Sequence, residues 1–469
     1  MHVVVAFTKL YTDGRYLLDE PGHRVKLACV NWPSHLETML PEGLHKQPLD
    51  SISKKIVAMG FNCVRLTWSV DMAMDLNRNK IIVETFKSLG LDEAIAGIQA
   101  NNPDFLNLDH MKAFVNVVNN LGDNNVMVIL DNHISKAGWC CSNNDGNGFF
   151  GDQYFDPERW LQGLRIMAFT FGSTKNVVGM SLRNELRGPN QNAGVWERYM
   201  RDGALVINEE NPNVLVIISG LNYDLDLSFL KLPLVNITDG GKLLFEIHHY
   251  GVSDGNAWMK NNANEMCGHF RKTFADTATF LMEEYPLFLS EFGGDLRGTN
   301  ENDNRFLNCM FGIIVELDLD WAWWALQGSY YFREGQVGVE EVYGVLDKDW
   351  NETFAFDPLS LNSCVYSEKW DYTTEKIVML KGTQFCLQAS DLGQSPKLDV
   401  DCNNPRAKWE KTSESEMHLS STLPNGDRVC LDVDDIGKIV TNPCKCLKRD
   451  SNCDPASQWF NIIKSDTSH

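Results

Sequence analysis

Short apolar runs alternate with longer amphipathic segments between Val25 and about Trp350. Eight runs have the length and residue types of buried β-strands: Lys26–Asn31, Asn62–Trp68, Val126–Asn132, Val177–Asn184, Val214–Ser219, Leu243–His249, Leu287–Glu291 and Leu319–Trp324. Segments with helical spacing of apolar residues lie between them: Ile52–Met59, His110–Leu121, Glu158–Phe171 and Trp196–Asn208. Eight strands separated by helices predict an α/β fold, a (β/α)8 TIM barrel. An open doubly wound sheet is the alternative, but Asn31-Trp32-Pro33 stands where its Gly-rich phosphate loop would follow the first strand.

After Asp357 the pattern changes to short β-type runs, turns and cysteines. Two segments repeat, each starting with Cys-Leu and ending at a tryptophan: FCLQASDLGQSPKLDVDCNNPRAKWE and VCLDVDDIGKIVTNPCKCLKRDSNCDPASQWF. In each, a second cysteine follows 16 positions after the first, at Cys402 after Cys386 and at Cys446 after Cys430. We therefore predict three parts: an N-terminal segment (1–24), the barrel (25–356) and an all-β domain (357–469).

Composition narrows the class of ligand. Hydrophobic residues make up 43% and aromatic residues 10%, with 13 Trp, which is typical of a globular protein. Trp and Tyr rings stack on sugars, although core packing accounts for most of them. The net charge of −21 argues against nucleic acid and anionic membranes as partners. No apolar run reaches the ~18 residues of a membrane span, and a neutral ligand is expected.

The cysteines indicate the compartment. Seven of the 13 fall after Asp357, which predicts disulfides and a secreted or cell-wall protein. Two glycosylation sequons, Asn236-Ile237-Thr238 and Asn351-Glu352-Thr353, agree with this. The apolar stretch from Val3 to Phe7 is interrupted by Lys9 and has no basic region before it. We therefore expect that the secretion signal is missing from this chain.

The residues that end the strands of a barrel converge on one face. Here they are Asn31 and Trp32, Arg65, Asn132 and His133, Asn184 and Glu185, Asn222 and Tyr223, His248 and Tyr250, Glu291, and Trp324. This set is rich in Glu, His, Asn, Arg and aromatic residues, which is typical of a catalytic pocket. Glu185 and Glu291 are the only carboxylates that end predicted strands directly.

Two facing carboxylates can cleave a glycosidic bond, one as an acid and the other as a nucleophile or base. A separation of ~5 Å between Glu185 and Glu291 would give retention through a covalent glycosyl-enzyme. We expect their pKa values to be pushed apart. Arg65 would keep Glu291 ionised, while an apolar setting and the charge of Glu291 would keep Glu185 protonated.

The other tips are expected to hold the substrate or the nucleophile. Tyr250 would donate to Glu291, Asn184 would donate to a sugar 2-hydroxyl, and Trp324 would stack on a sugar ring. The candidate substrate-binding set is Arg65, His133, Asn184, His248, Tyr250, Trp324, Asn31 and Trp32.

Alternatives remain for several of these residues. Arg65 would also suit a barrel-end ion pair, and His133 and His248 would suit structural roles. A metal site at His133, His248, His249 and the carboxylates lacks an HExxH-like spacing, and no metal or cofactor is predicted. The loop Gly138–Asp152 lacks the spaced carboxylates and closing Glu of a calcium loop, which favours a Gly-rich wall of the cleft.

The tips resemble glycoside hydrolase family 5, the cellulase-like family of clan A barrels. The matching pieces are Arg65 in FNCVRLTW, Asn132-His133 in VILDNH, Asn184-Glu185 in SLRNE, His248-x-Tyr250 in IHHY, Glu291 in LSEFG and Trp324 in WWALQGS. The resemblance implies Glu185 as acid/base, Glu291 as nucleophile and the others as contacts of substrate or nucleophile. It also implies β-linked glucan, mannan or a related substrate.

The repeats after Asp357 resemble the ricin-B-type β-trefoil lectin, which makes the chain similar to a plant subgroup of that family. Ala407-Lys408-Trp409 and Ser457-Gln458-Trp459 stand where Gln-x-Trp is usual. Asp432 is the candidate sugar ligand, or alternatively a turn-stabilising residue. The first of three lobes is expected to be incomplete, with Cys364 lacking its partner.

Three functions are weighed. The first is a secreted retaining endo-β-glycosidase, glucanase-like or mannanase-like, with a lectin-like appendage. The second is a transglycosidase that uses the same site. The third is a catalytically silent carbohydrate-binding cell-wall protein, against which the intact pair Glu185 and Glu291 argues. The sequence does not predict the oligomeric state.

Overall fold

The computed structural model describes residue 7 and residues 9–75, 80–231, 241–351, 370–448 and 450–462. Both sequons, Cys364 and the incomplete first lobe lie wholly or partly outside these residues. Contacts divide the chain into two compact units. The first comprises residues 1–249, 276–297 and 320–358, and the second comprises residues 250–275, 298–319 and 359–469.

The first unit contains a closed barrel of eight parallel strands. After the hairpin β1 (Tyr11–Asp13) and β2 (Tyr16–Leu18), these are β3 (Ala28–Trp32), β4 (Cys63–Ser69), β5 (Met127–Ile134), β6 (Val177–Ser181), β7 (Leu215–Ile218), β8 (Leu243–His248), β9 (Leu287–Phe292) and β10 (Asp320–Trp323). Each strand pairs with its neighbour in the chain, and β10 pairs with β3 to close the barrel. The predicted barrel is confirmed, with strand ends shifted by no more than three residues.

Helices follow the strands along the chain. They are α1 (Leu49–Ala58), α2 (Val70–Met74), α3 (Ile82–Ser88), α4 (Asp92–Asn101), α5 (His110–Asp123), α6 (Pro157–Thr170), α7 (Ala193–Glu210), α8 (Ala257–Lys260), α9 (Ala263–Thr277) and α10 (Glu301–Glu316). Asp109, Asp156 and Asn192 begin α5, α6 and α7, because each side chain accepts a backbone N–H of the first turn. Within the described residues, no helix combines the length and the apolar character needed to cross a membrane.

The N-terminal hairpin packs into the barrel end at which the strands begin. Leu10 and Leu17 join a buried apolar cluster with residues from the first half of the strands, including Cys29, Val178 and Phe288. Leu10 and Leu17 of the predicted N-terminal segment therefore contribute to the barrel core. The opposite end of the barrel is left for polar side chains.

The second unit combines α8, α9 and α10 with two four-stranded antiparallel sheets. The sheets consist of β13 (Trp370–Tyr372), β14 (Val378–Leu380), β15 (Cys386–Gln388) and β16 (Lys397–Asp399), and of β17 (Glu410–Lys411), β18 (Leu419–Thr422), β19 (Arg428–Val433) and β20 (Ile439–Pro443). Before them, the short pair β11 (Phe332–Arg333) and β12 (Gln336–Val337) lies in the first unit. The all-β character of the C-terminal region is confirmed.

All twelve cysteines in the described residues form disulfides. The pairs are Cys29–Cys63, Cys140–Cys141, Cys267–Cys309, Cys386–Cys402, Cys430–Cys444 and Cys446–Cys453. The 16-position spacing of the repeat corresponds to a bond at Cys386–Cys402 only. In the second repeat Cys430 bonds to Cys444 and leaves Cys446 for Cys453.

Candidate active site

Glu185 lies just beyond the end of β6, in an unusual backbone conformation. The strand ends at Ser181, and Glu185 has a φ of 44°. This left-handed conformation costs a non-glycine residue about 1–3 kcal/mol unless its surroundings hold it. The backbone N–H of Glu185 donates to Asp224 Oδ2 at 3.1 Å, and its carbonyl accepts from Arg187 Nη1 at 2.8 Å. These bonds present the side chain at the barrel end.

Glu291 lies within β9, and Arg65 of β4 reaches it. Arg65 Nη1 donates to Glu291 Oε1 at 2.7 Å. The same guanidinium lies 2.9 Å from Asp131 Oδ1 and 3.6 Å from Glu246 Oε2. Burial alone would lower the pKa of Arg65, but the three carboxylates raise it above its usual value. One fixed cation therefore serves three buried carboxylates.

His248 lies between the two glutamates. Its Nδ1 is 3.0 Å from Glu185 Oε1 and 3.6 Å from Glu291 Oε2, and its Nε2 is 3.0 Å from Ser290 Oγ. An oxygen of Glu185 and an oxygen of Glu291 lie within 4.8 Å of each other. Burial is the largest cause of a lowered pKa at His248, which favours the neutral ring. Nδ1 of the neutral ring therefore faces both glutamates and adds no charge between them.

The two glutamates do not show the expected separation of pKa values. Burial raises the pKa of Glu185 to about 7, against the opposing charges of Arg187 and Arg65. Burial also raises the pKa of Glu291 to about 7, although His248 and Arg65 lower it. Arg65 does not single out Glu291, because Asp131 and Glu246 share its charge. One proton divided between the pair near neutral pH is the consequence.

A stack of rings lines one side of the glutamate pair. The ring of His133 stacks on Trp324 with centroids 5.5 Å apart, and His35 lies 3.9 Å from His133 and 6.5 Å from Trp324. His133 Nδ1 is 2.6 Å from Asp131 Oδ2. Burial lowers the pKa of His133 well below its usual value, so the ring is neutral. His35 was not among the predicted residues.

Asn184 is enclosed on both sides of its amide. Its Oδ1 accepts from Arg65 Nη2 at 3.0 Å, and its Nδ2 lies 3.8 Å from Cys140 Sγ and 3.7 Å from Cys141 Sγ. The residue is fully buried. A sugar hydroxyl that binds Asn184 must therefore share Nδ2 with the disulfide of the Gly-rich loop (138–152).

In the part of the chain that the structure describes, two groups of side chains have metal-ligand spacing, but neither favours a resident ion. His133, Cys140 and Cys141 form one, and the two cysteines are bonded to each other. Glu185, His248 and Glu291 form the other. Arg65 already places a positive charge 2.7 Å from Glu291. A metal ion bound to Glu291 would be repelled by that charge. Asp145 of the Gly-rich loop accepts from Arg187, which opposes a calcium site there.

Comparisons with known proteins identify the family. The sequence profile of Cellulase (glycosyl hydrolase family 5) matches residues 18–329. A glycosyl hydrolase 5 family protein from Chamaecyparis obtusa is 38% identical over 517 residues, which cover 97% of this chain and 92% of that protein. The chain belongs to glycosyl hydrolase family 5. It is an O-glycosyl hydrolase.

More distant relatives of this family 5 hydrolase share its fold. An endoglucanase from Paenibacillus polymyxa is 21% identical, over 72% of this chain and 83% of that protein. The structure of an endocellulase from the archaeon Pyrococcus horikoshii matches with a TM-score of 0.62 at 19% identity, over 76% of this chain and 99% of that one. The catalytic domain of the major endoglucanase from Xanthomonas campestris pv. campestris matches with a TM-score of 0.61 at 18% identity, over 76% and 99%.

Two predicted substrate contacts of the hydrolase have other partners. Asn31 is fully buried, accepts from Arg65 Nη1 at 3.0 Å, and donates to Ser290 O at 2.9 Å. Trp32 is fully buried and donates from Nε1 to Glu42 O at 3.0 Å. Both side chains are closed to solvent in this structure, and the expectation that these two residues bind substrate stays a prediction. Asn31 holds Arg65 in place, and Trp32 is part of the core.

Three buried carboxylates were missed. Asp131 and Glu246 contact Arg65, and Asp224 accepts from the N–H of Glu185. Asp131 and Glu246 end the apolar runs VILD and LLFE, one residue before the predicted tip Asn132 and two residues before the predicted tip His248. A carboxylate inside a barrel strand was the available signal. Asp224 carries no such signal, because a left-handed turn directs its side chain.

Two candidates lie in the second unit. The backbone N–H of Tyr250 donates to Ser253 Oγ at 3.2 Å. Its predicted bond to Glu291 stays a prediction. Asp432 is 1% exposed, and its Oδ2 accepts from Asn442 and Gln458, each at 3.1 Å. These bonds join β19 to Asn442 of β20 and to Gln458, and the sugar-ligand role of Asp432 stays a prediction.

Proposed function

We propose that this hydrolase is a retaining endo-β-glycosidase that acts by double displacement. The observation that carries the proposal is the separation between carboxylate oxygens of Glu185 and Glu291, which is within 4.8 Å. Inverting enzymes hold their carboxyl groups about 6.5–9.5 Å apart to admit a water, whereas retaining enzymes hold them about 5 Å apart. A short separation suits direct attack on the sugar.

Glu291 is proposed as the nucleophile and Glu185 as the acid/base. Arg65, at 2.7 Å, stabilises the ionised form of Glu291 and can stay with it throughout the reaction. Glu185 has no such direct cation on its carboxylate, and its Oε1 meets His248 instead. The shared proton therefore rests on Glu185, which delivers it to the leaving oxygen and then accepts a proton from the incoming water.

A β-linked glucan is the proposed substrate. The relatives from Paenibacillus polymyxa and Xanthomonas campestris are endoglucanases, and a Pyrococcus horikoshii endocellulase of similar fold has been solved with cellotetraose. Trp324, stacked on His133 beside the glutamates, offers a ring on which a glucosyl unit can lie. The Xanthomonas relative is extracellular, and this supports secretion together with the six disulfides.

For the C-terminal region we propose two lobes of a ricin-B-like β-trefoil. The chain would then be a plant-type enzyme, with a catalytic domain close to 25–356 and a trefoil domain close to 357–469. Each repeat supplies the last two strands of one four-stranded antiparallel sheet, β15 and β16 in the first and β19 and β20 in the second. An isolated bridge also lies near the end of each repeat, from Lys408 to Ile377 in the first and from Trp459 to His418 in the second. Trp409 lies in the apolar core of the region, with Val378, Leu419 and Val429. With Asp432 enclosed, these two lobes support a fold and not a sugar site.

A polysaccharide panel tests the proposal. Cellulose, mixed-linkage glucan, mannan and xyloglucan are incubated with the wild type and with Glu291→Ala. We expect reducing ends from a β-glucan with the wild type and at least a ~1,000-fold lower rate with the variant. Proton NMR of the first product should show the β-anomer. Release equal to that of Glu291→Ala, or an α-anomer formed first, would overturn the proposal.

A further inference from the structure

Two buried arginines flank the proposed acid/base in the segment Ser181–Arg187. Arg183 and Arg187 are both fully buried. Arg183 donates to Asn147 O at 2.6 Å, and Arg187 donates from Nε to Ser142 O at 3.0 Å. Both arginines therefore bind backbone carbonyls of the Gly-rich loop.

Arg187 also turns back to the acid/base. Its Nη1 donates to the carbonyl of Glu185 at 2.8 Å, while the N–H of Glu185 is held by Asp224 at 3.1 Å. The left-handed backbone of Glu185 is thus bonded on both sides. Because side-chain direction follows from the backbone, these two bonds set where the carboxyl group points.

The Gly-rich loop fixes Arg187 in turn. The backbone N–H of Arg187 donates to Gly148 O at 3.1 Å, and its Nη2 pairs with Asp145. A Cβ on Gly148 would lie 2.8 Å from the carbonyl oxygen of Arg187, closer than a side chain tolerates. The absence of a side chain at Gly148 therefore allows the loop backbone to lie directly against the backbone of Arg187.

We propose that Arg187 is a positioning residue that holds Glu185 in the geometry of a general acid and couples that geometry to the Gly-rich loop. The proposal rests on the function proposed above, in which Glu185 protonates the leaving oxygen. Arg187 bonds to the backbone of Glu185 and not to the reacting carboxyl. Its charge also lowers the pKa of Glu185 against the effect of burial.

Dependence on the leaving group tests the proposal. For glycosylation, kcat/KM is measured on phenyl β-cellobioside, whose leaving group needs a proton, and on 2,4-dinitrophenyl β-cellobioside, whose leaving group does not. With Arg187→Met, we expect a loss of about 10–100-fold on the first substrate and under about 3-fold on the second. Retained activity on the second substrate shows that the variant folds and that its nucleophile works.

Two variants calibrate the result. Glu185→Gln removes the acid itself and should show the same dependence more strongly. Arg183→Met is the matched control, because Arg183 is equally buried and binds the same loop, but donates to Asn132 Oδ1 at 3.2 Å on the barrel side. It should lower kcat/KM on both substrates by the same factor, through stability alone. Arg187→Lys keeps the charge and should recover part of the loss.

The pH profile gives an independent readout. The charged and titratable groups facing Glu185 are Arg65, Asp131, Arg187, Tyr223, Asp224, His248 and Glu291. Loss of the Arg187 charge should raise the pKa of Glu185, so the alkaline limb on phenyl β-cellobioside should move to higher pH in Arg187→Met. It should stay nearer its original position in Arg187→Lys.

The outcomes separate the two proposals. If Glu185→Gln shows the leaving-group dependence and Arg187→Met lowers both substrates equally, the role of Arg187 is wrong while the proposed function stands. If Glu185→Gln shows no such dependence, the acid role of Glu185 fails first. Should Arg187→Met be inactive on both substrates and unfolded by circular dichroism, the same comparison is made with Arg187→Lys, and equal losses there overturn the inference.

Discussion

Arg65 determines the electrostatics of the site at the scale of single residues. It lies 2.7 Å from Glu291, 2.9 Å from Asp131 and 3.6 Å from Glu246. A guanidinium has five donors in a planar fork, which suits several acceptors at once. Its charge is divided among three carboxylates. The effect of burial on Glu291 is therefore larger than the effect of Arg65, and the pKa of Glu291 is raised. The strand tips predicted the contact with Glu291, but not the two carboxylates that compete for the same cation.

The alkaline limb of the pH profile belongs to Glu185. A general acid must be protonated, so activity should be lost as pH rises through its pKa. We expect kcat/KM on an unactivated substrate to fall as the pH passes about 7. The pH profile of the wild type checks this, and the same profile on a dinitrophenyl substrate should lack the limb. A limb near pH 4–5, close to the ordinary glutamate value of about 4.3, would contradict the effect of burial on Glu185.

At the scale of elements, two glycines bring α9 and α10 close to the C-terminal sheets. A Cβ on Gly268 of α9 would lie 2.4 Å from the backbone oxygen of Glu414. A Cβ on Gly312 of α10 would lie 2.4 Å from Cε of Met417, the end of a flexible side chain. The disulfide Cys267–Cys309 joins the two helices next to these positions. Helix propensity disfavours glycine, so close approach explains both.

Alanine substitution distinguishes the two glycines. Gly→Ala inside a helix ordinarily stabilises by about 0.8–1 kcal/mol. We expect Gly268→Ala instead to lower the free energy of unfolding by about 1–3 kcal/mol, because rigid backbone occupies the space. Gly312→Ala should cost less, since Met417 can rotate away. Urea unfolding measures both, and a Gly268→Ala protein more stable than the wild type would refute the close approach.

At the scale of the whole molecule, the C-terminal all-β region shares buried hydrogen bonds with the helices of the second unit. Asn264 of α9 accepts from Trp459 Nε1 and from Ser415 Oγ, each at 2.8 Å. Arg305 of α10 donates to Ser451 O at 2.8 Å. Asn264 and Arg305 are both buried. The region is therefore part of the structure that supports these helices, and not a loosely tethered module.

Truncation after Asn351 should consequently destabilise what remains. A buried polar group that loses its partner costs about 1–3 kcal/mol. With Asn264 and Arg305 both affected, we expect the free energy of unfolding to fall by more than about 3 kcal/mol. Differential scanning calorimetry of the full and truncated chains measures this. Trp459→Phe, which removes a single N–H donor, should lose only about 1 kcal/mol, and an unchanged midpoint on truncation would contradict the contacts.

The sequence by itself determined the barrel, the order of its tips and the pair Glu185 and Glu291. Alternation of apolar runs and amphipathic segments is a local pattern, and closure of a parallel barrel places every strand end on one face. The all-β character of the C-terminal region was readable for the same reason. The apolar periodicity located the strand ends, and the resemblance to the family then implied which catalytic role each glutamate has.

Only the tertiary structure decided the distances between the site residues and which carboxylates share Arg65 as a partner. Arg65 and Glu291 are 226 positions apart, and no local pattern encodes that Asp131 and Glu246 meet the same guanidinium. Burial of Asn31 and Asp432 likewise depends on what packs over them, and the pairing of Cys430 depends on which sulfur lies nearer. Patterns of neighbouring residues specify elements, whereas desolvation and charge sharing depend on residues brought together from distant parts of the chain.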